Sequence, residues 1–424
     1  MKRFLAILLT ALMLASFATV SASAAEPTKI TFWTFQELHV AFYEQMAKEW
    51  NEKYPDRPIE LVPSALPYDD MHNKLTIALQ SGVGAPDLVD IEIGKFANYL
   101  KGTPQLVPIN RVVEPELNNI VRSRVDIYAK DGNFYGICFH IGAAVIYYND
   151  KLMKEAGIDY TQIKTWDEYH EAGKKFLAAT GKPIGTVETG DPWHLWPLIA
   201  SQGGDLLDAD GNPNIDSPEM EKALAYNQEL LKEGVLAVAP GSGHHSEEYY
   251  GLMNGESFGS VIMPMWYMNR FTDYMPDLKG EIAIAPLPVW EEGQPRSVGL
   301  GGTGTCVTNQ AKDPELTMDF LAFAKLSKEG NIQIWKLLGF DPIRSEVWSL
   351  PEVRDDVNKF TEYYVNNPFD VLLQIKDEIP AIHVAEALPP TMDALKNSVL
   401  FRAYEDMADL KTMLPEENAK IVVG

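Results

Sequence analysis

Cysteine is nearly missing from this chain, with only Cys138 and Cys306 in 424 residues. None precedes position 138, so a lipid-bearing cysteine near the start is excluded, and no zinc-type cysteine spacing exists. Positive charge is scarce too: 36 Lys and Arg stand against 60 Asp and Glu, for a formal charge of −24. Nucleic acid and anionic membrane surfaces require clustered cations, so this balance argues against both and reads as solubility. After the first 17 residues no apolar run approaches the ~20 residues of a membrane-spanning helix. A Gly-x-Ser-x-Gly elbow and a His-Glu-x-x-His pair are lacking, and the glycine-rich run at 299–304 continues into Thr305-Cys306 without the Lys-Ser or Lys-Thr of a phosphate loop. There is no repeat of fixed period.

What is present begins with a secretory leader. Lys2 and Arg3 precede an apolar run from Phe4 to about Phe17, and the small residues around Ser21–Ala25 fit cleavage after Ala24. Residues 1–24 are therefore expected to be a signal peptide, whose loss takes Lys2 and Arg3 with it and moves the charge to −26. The mature chain is expected to diffuse freely in a periplasm. There the two cysteines either pair or remain buried thiols.

The mature chain then alternates strand and helix. Short strands are expected at 29–35, 58–63 and 87–91, and helices at 40–54 and from 69 or 70 to 79; Phe42, Met46 and Trp50 fall on one face of the first helix. This alternation predicts a parallel sheet, whose ligands lie beyond the carboxyl ends of the strands. That rule puts Trp33, Gln36, Glu37, Glu92 and Lys95 on one rim. Residues 135–149 read as a buried crossover into a second α/β series, apolar at both ends and interrupted by Gly136, His140 and Gly142. A second crossover, back again, is expected at 298–304, where Gly302 and its neighbours permit close backbone approach.

The order of these segments, with Thr31-Phe32-Trp33 early, Trp193-His194-Leu195-Trp196-Pro197-Leu198 and Pro264-Met265-Trp266-Tyr267 in the middle, and residues 339–344 late, resembles the extracellular solute-binding proteins of carbohydrate ABC transporters, the maltose-binding-protein-like family. The resemblance covers nearly all the mature chain. It implies an α/β, two-lobed periplasmic-binding-protein (Venus-flytrap) fold with discontinuous lobes and crossover hinge segments. One lobe would comprise 25–139 plus 305–340 and the other 140–304 plus 341–424. It further implies a carbohydrate ligand, permease subunits as partners, a monomer, no cofactor and no catalysis. Glu92 and Lys95 after the third strand, and Pro389-Pro390 near the end, depart from the aromatic contacts of maltodextrin binders and leave the sugar open.

A sugar offers a face of C–H groups and a rim of hydroxyls, so its site needs flat apolar surfaces and side chains that donate and accept. Trp193 and Trp266, each just after a proline, are the expected stacking surfaces, with Trp33 and Tyr267 beside them; Trp50, Trp166, Trp290, Trp335 and Trp348 read as packing. Gln36, Glu37, Glu92, Lys95 and His140 are expected as polar contacts, with a solvated rim or a satisfied core histidine as alternatives, and Arg344 as a clamp or a partner of nearby carboxylates. His244-His245 with Glu247 and Glu248 has metal-site residue types but reads as an exposed loop, so no metal is expected. Rival readings are a polysaccharide-acting enzyme, which needs two opposed carboxylates, a sugar sensor, and the same fold holding a polyamine or other solute.

Overall fold

The computed structural model describes residues 26–423, so the expected leader lies outside the described residues. In chain order the strands used below are β1 (Thr28–Thr34), β2 (Ile59–Ala65), β3 (Leu88–Glu92), β4 (Gly136–Cys138), β5 (Ala144–Asn149), β6 (Gly185–Val187), β7 (Leu236–Val238), β8 (Ser260–Pro264), β9 (Ile282–Ala285) and β10 (Thr303–Val307). The helices are α1 (Glu37–Lys53), α2 (Tyr68–Ser81), α3 (Ile93–Phe96), α4 (Asp150–Glu155), α5 (Trp166–Thr180), α6 (Pro218–Lys232), α7 (Pro314–Lys325) and α8 (Leu388–Ala394).

Two sheets organise the chain as two lobes. The first runs β2-β1-β3-β10-β4; β1 is parallel to both β2 and β3, whereas β10 is antiparallel to β3 and β4. The second runs β8-β5-β9 and is antiparallel throughout, with a separate parallel pair β6-β7. The expected parallel sheet thus holds for β1 to β3 only. The returning crossover brings β10 in from the opposite direction, and the second series pairs strands that long connections deliver antiparallel. Strand β10 begins at Thr303, two residues before the expected return at Thr305.

Local chemistry sets the element ends. Phe42, Met46 and Trp50 are buried on one face of α1 as their fourfold spacing requires. Thr165 and Glu168 form a reciprocal capping box at the start of α5, and the Asn149 side chain accepts from Leu152 N–H to start α4 directly after β5. Cys138 lies opposite Gly304 and Cys306 opposite Gly136, so each thiol faces a glycine; both are free and buried. The C-terminal residues form a series of short helices, and α8 packs on α3 and the turn after it, touching the first lobe from the second.

Three segments cross between the lobes, at 139–143, 298–302 and 340–343. Outside any sheet, their backbone groups need other partners. Some bond to one another: Leu300 N–H donates to Gly142 O at 2.9 Å, and Ile141 N–H to Asp341 O at 3.0 Å. Arg124, completely buried, serves three more carbonyls, donating to His140 O at 3.4 Å, Gly299 O at 3.1 Å and Gly301 O at 2.5 Å. Asp341 does the converse, its carboxylate accepting from Gly142 N–H at 3.2 Å and Ala143 N–H at 2.8 Å. The crossings are so close that a Cβ on Gly142, whose φ is +67°, would lie 2.1 Å from Leu300 O.

Replacing Arg124 by Met removes a buried donor to three carbonyls, and an unsatisfied buried group costs about 1–3 kcal/mol. Arg124→Met is therefore expected to lower urea-unfolding stability by about 3 kcal/mol or more, while Arg122→Met, at an exposed pair with Asp126, changes it by under about 1 kcal/mol. Equal effects would remove Arg124 from its place at the crossings.

Candidate functional site: an interlobe cleft

The carboxyl ends of β1 and β3, the first turn of α2 and the three crossings open on one cleft of about 660 Å³. The first lobe supplies the turn after β1 (Phe35, Gln36, Leu38, His39), Tyr68 and Asp69 of α2, and Glu92, Gly94 and Lys95 where β3 turns into α3. His140, Gly301, Gly302, Thr303 and Phe340 form the floor. The facing wall carries Trp193, His245, Trp266 and Arg270, and the C-terminal helices add Asp393 and Lys396.

That wall is aromatic and held from behind. Trp193 stacks on Trp196 at 6.2 Å and 14°, and meets Trp266 edge-on at 5.9 Å and 86°. Trp266 Nε1 donates to Leu300 O at 3.1 Å, which fixes the indole, and His245 stacks on it at 5.6 Å and 14°. A Cβ on Gly301, where φ is +64°, would come within 3.0 Å of that indole nitrogen. Behind the wall lies a buried group formed by Glu188, His194 and His244. Glu188 Oε2 accepts from His244 N–H at 3.0 Å, and its Oε1 lies 3.5 Å from His244 Nδ1 and 3.9 Å from His194 Nδ1. Desolvation works against the Glu188 charge, but the two imidazoles prevail and hold its carboxyl well below the usual carboxylate range. His194 and His244 are sequence neighbours of Trp193 and His245, so this group braces the residues that face the cleft.

The polar side differs. Glu92 accepts from Tyr68 O–H at 2.9 Å and Gly94 N–H at 2.7 Å, yet desolvation outweighs both and pushes its carboxyl up to about 7. Lys396 and Asp191, paired with each other at 2.8 Å, both act on it across the cleft. His140 is kept neutral, first by desolvation and then by the Arg124 charge, and its Nδ1 has no hydrogen-bond partner among the described residues.

Of the residues expected from sequence, Gln36, Glu92, Lys95, His140, Trp193, Trp266 and Gly302 line this cleft. Trp33, Glu37, Tyr267 and Arg344 do not. Trp33 lies on the β1 face away from Phe32 and Thr34, with Lys74 Nζ 3.9 Å from its ring centroid. Glu37 is exposed on the first turn of α1. Tyr267 is wholly buried and donates to His244 O, because successive residues of a tight turn point in different directions. Arg344 is held by Glu116 at 2.7 Å and by Leu326 O at 2.7 Å. The exposed-loop reading of His244-His245 holds for His245 only; His244 is fully buried. Sequence reasoning missed Tyr68, Asp69, Asp191, Arg270, Lys396 and above all His39. Asp191 carried a signal, as it begins the Asp-Pro-Trp corner that presents Trp193.

Two α/β lobes joined by three crossings around a cleft that combines an indole wall with hydrogen-bonding groups from both lobes define a two-lobed solute-binding protein. The model for the bacterial extracellular solute-binding proteins matches residues 36–330, and the chain belongs to that family. It is 46% identical over 404 residues to an arabinooligosaccharide-binding protein of Bacillus subtilis, covering 95% of this chain and 93% of that one. It is 45% identical to an arabinooligosaccharide-binding protein of Halalkalibacterium halodurans, covering 93% and 87%. Among solved structures it is similar to the galacto-N-biose-/lacto-N-biose I-binding protein of the ABC transporter from Bifidobacterium longum, with TM-score 0.76, 17% identity and coverage of 93% of this chain and 96% of that one. That likeness extends to the fold.

Two outcomes are expected. Trp193→Ala and Trp266→Ala weaken ligand binding about tenfold or more in calorimetry, while Trp166→Ala, a fully buried core residue, costs about 3–5 kcal/mol of stability and leaves the affinity of the folded protein unchanged. Comparable losses of affinity from all three would defeat the wall assignment. Second, folded Glu92 keeps its proton between pH 4.5 and about 7 while the unfolded chain loses it, so its contribution to stability falls as pH rises through that window. The stability of Glu92→Gln relative to wild type should accordingly rise from pH 4.5 to about 7 in urea titrations; a flat difference would contradict the raised value.

Proposed function

We propose that this protein captures an arabino-oligosaccharide in its cleft, closes on it, and delivers it to the membrane permease of an ABC importer. The observation that carries the reading is one cleft that combines the indole faces of Trp193 and Trp266 on the second lobe with hydrogen-bonding side chains from both lobes. A neutral, hydroxylated ring uses both, whereas a polyamine would meet repulsion from the cationic Lys95 and Arg270 that line the same cleft. The sugar class comes from the two relatives named for it. Stacking and hydrogen bonding need no cofactor or metal. The protein acts as a monomer in the periplasm after loss of residues 1–24, with lobes divided near 139/140, within 298–302 and near 340/341. Among the described residues no helix is long and apolar enough to cross a membrane.

Hydrolysis is the competing use of such a cleft, and Asp69, Glu92, Asp191 and Asp393 all line it. Asp191 is tied to Lys396, however, and an opposed acid and nucleophile must flank a bond at about 5.5 Å or about 6.5–9.5 Å. A thermal-shift series tests the proposal. L-arabinotriose should raise the melting midpoint in proportion to the logarithm of its concentration, by the equivalent of about 2.7 kcal/mol at a hundred times Kd, and spermidine should not. Incubated with the same sugar, the protein should release no new reducing ends. A shift with spermidine alone, or steady release of arabinose, would overturn the reading.

A further inference from the structure

At the floor of the cleft, where β1 turns into α1, His39 and Asp90 form a pair that the sequence does not advertise. His39 is 3% exposed and Asp90 not at all, with His39 Nδ1 2.8 Å from Asp90 Oδ2. Which atom carries the proton follows from the neighbours. Thr34 Oγ1 already accepts from Gln36 N–H at 3.2 Å, so its own hydrogen goes to Asp90 Oδ2, 2.8 Å away. Thr305 Oγ1 accepts from Lys325 Nζ at 2.9 Å, so its hydrogen goes to Asp90 Oδ1 at 2.6 Å. Asp90 therefore accepts at both oxygens, and His39 donates to it from Nδ1. The imidazole is fixed by stacking on Phe139 at 4.1 Å and 24°, and the same ring has Lys325 Nζ 3.3 Å from its centroid. Its other nitrogen, Nε2, makes no hydrogen bond among the described residues, yet it is not one of the buried atoms left unpaired; the ring lines the cleft and Nε2 meets it.

We propose that His39 is a specificity-determining residue of this cleft: Asp90 holds the ring proton on Nδ1, so Nε2 is an acceptor only and takes the hydrogen of a ligand hydroxyl. This rests on the reading of the ligand as a sugar and deepens it. Gln36 beside it both donates and accepts, and Lys95 and Arg270 only donate, so among the cleft's neutral groups His39 is set to reward a hydroxyl in one orientation. The groups that face it are Asp90 on β3, Lys325 on α7, His140 on the first crossing and Tyr43 one turn along α1. Desolvation lowers the ring below its ordinary 6.5, Asp90 opposes that and Lys325 adds to it, so the ring is neutral at pH 7 and Nε2 remains free to accept. Below that lowered value Nε2 gains a proton, becomes a donor, and the contact is lost.

The test is calorimetry of the mature chain with L-arabinotriose from pH 5 to 8, wild type beside His39→Phe and His39→Gln, with 15N spectra of the imidazoles in the wild type. His39→Phe keeps a ring on Phe139 and removes the acceptor; affinity at pH 7.5 should fall about tenfold. His39→Gln keeps an acceptor that cannot titrate; it should bind within a few-fold of wild type but lack the fall in affinity that wild type shows on the acid side of pH 6.5. Any step near pH 7 from Glu92 is common to all three. The ligand-free spectrum should report His39 protonated on Nδ1, with Nε2 shifting when sugar is added. Proton on Nε2, or the same affinity and pH profile in all three proteins, would overturn the proposal; if His39→Phe does not fold, His39→Gln and the spectrum decide. Failure of wild type to bind the sugar defeats the ligand reading instead, while the ring tautomer still tests the Asp90 pairing.

Discussion

Two charged side chains carry the architecture. Where the chain passes between the lobes its peptide groups leave both sheets, and water cannot serve them because the crossings are buried. Arg124 offers a planar fork of donors to three carbonyls on two crossings, and Asp341, on the third, offers its carboxylate to two amides on the first. The pair thus satisfies orphaned backbone with side chains, one from the third crossing itself and one from the single helical turn at Ser123–Asp126 packed against the crossings. A hinge built this way is narrow, since its members are bonded to each other, and it turns about few residues, with Gly142, Gly301 and Gly302 supplying the left-handed or unusual backbone angles.

The placement of the cleft follows. Parallel β1 and β3 end at the crossings, and the turns that leave them expose Gln36, Glu92 and Lys95 on the same side. The three-stranded sheet of the second lobe is antiparallel, but its parallel pair obeys the same rule: the chain leaves β6 for Glu188 and Trp193, and leaves β7 for His244 and His245. Packing then holds these corners, with the buried Glu188 set between His194 and His244 and the Trp266 indole pinned to the second crossing.

These placements govern what could be read in advance. The crossover at 135–149 was legible because few other structures need an apolar segment broken by Gly136, His140 and Gly142. The cleft positions of Trp193 and Trp266 were legible because each closely follows a proline at a corner, Pro192 in the turn beyond β6 and Pro264 at the end of β8. Trp33 misled because residues of a strand alternate faces, and the face holding Phe32 and Thr34 is the buried one. Arg344 misled because residue type does not reveal a partner more than two hundred positions away, Glu116. His39 was invisible for a related reason: on a helix with Phe42, Met46 and Trp50 it resembles an ordinary core position, and only the approach of Asp90 from β3 gives it a role. Arg124 gave no signal at all beyond one more arginine, and it stands on a single helical turn, Ser123–Asp126.

The unequal chemistry of the two sides bears on closure. A ligand shifts an open–closed balance only by its differential affinity for the two states. The indole faces lie on the second lobe beside Asn269, Arg270 and Lys396, whereas Gln36, His39 and Glu92 line the cleft from the first. On the proposed reading, a ring stacked on Trp266 gains the first lobe's hydrogen bonds only when that lobe closes on it. Helix α8, which already reaches from the second lobe onto α3, adds Asp393 at the same boundary, and the helical turn after it adds Lys396. In that reading the first lobe's share of the binding energy is what favours the closed state, because it is released only when the lobes meet.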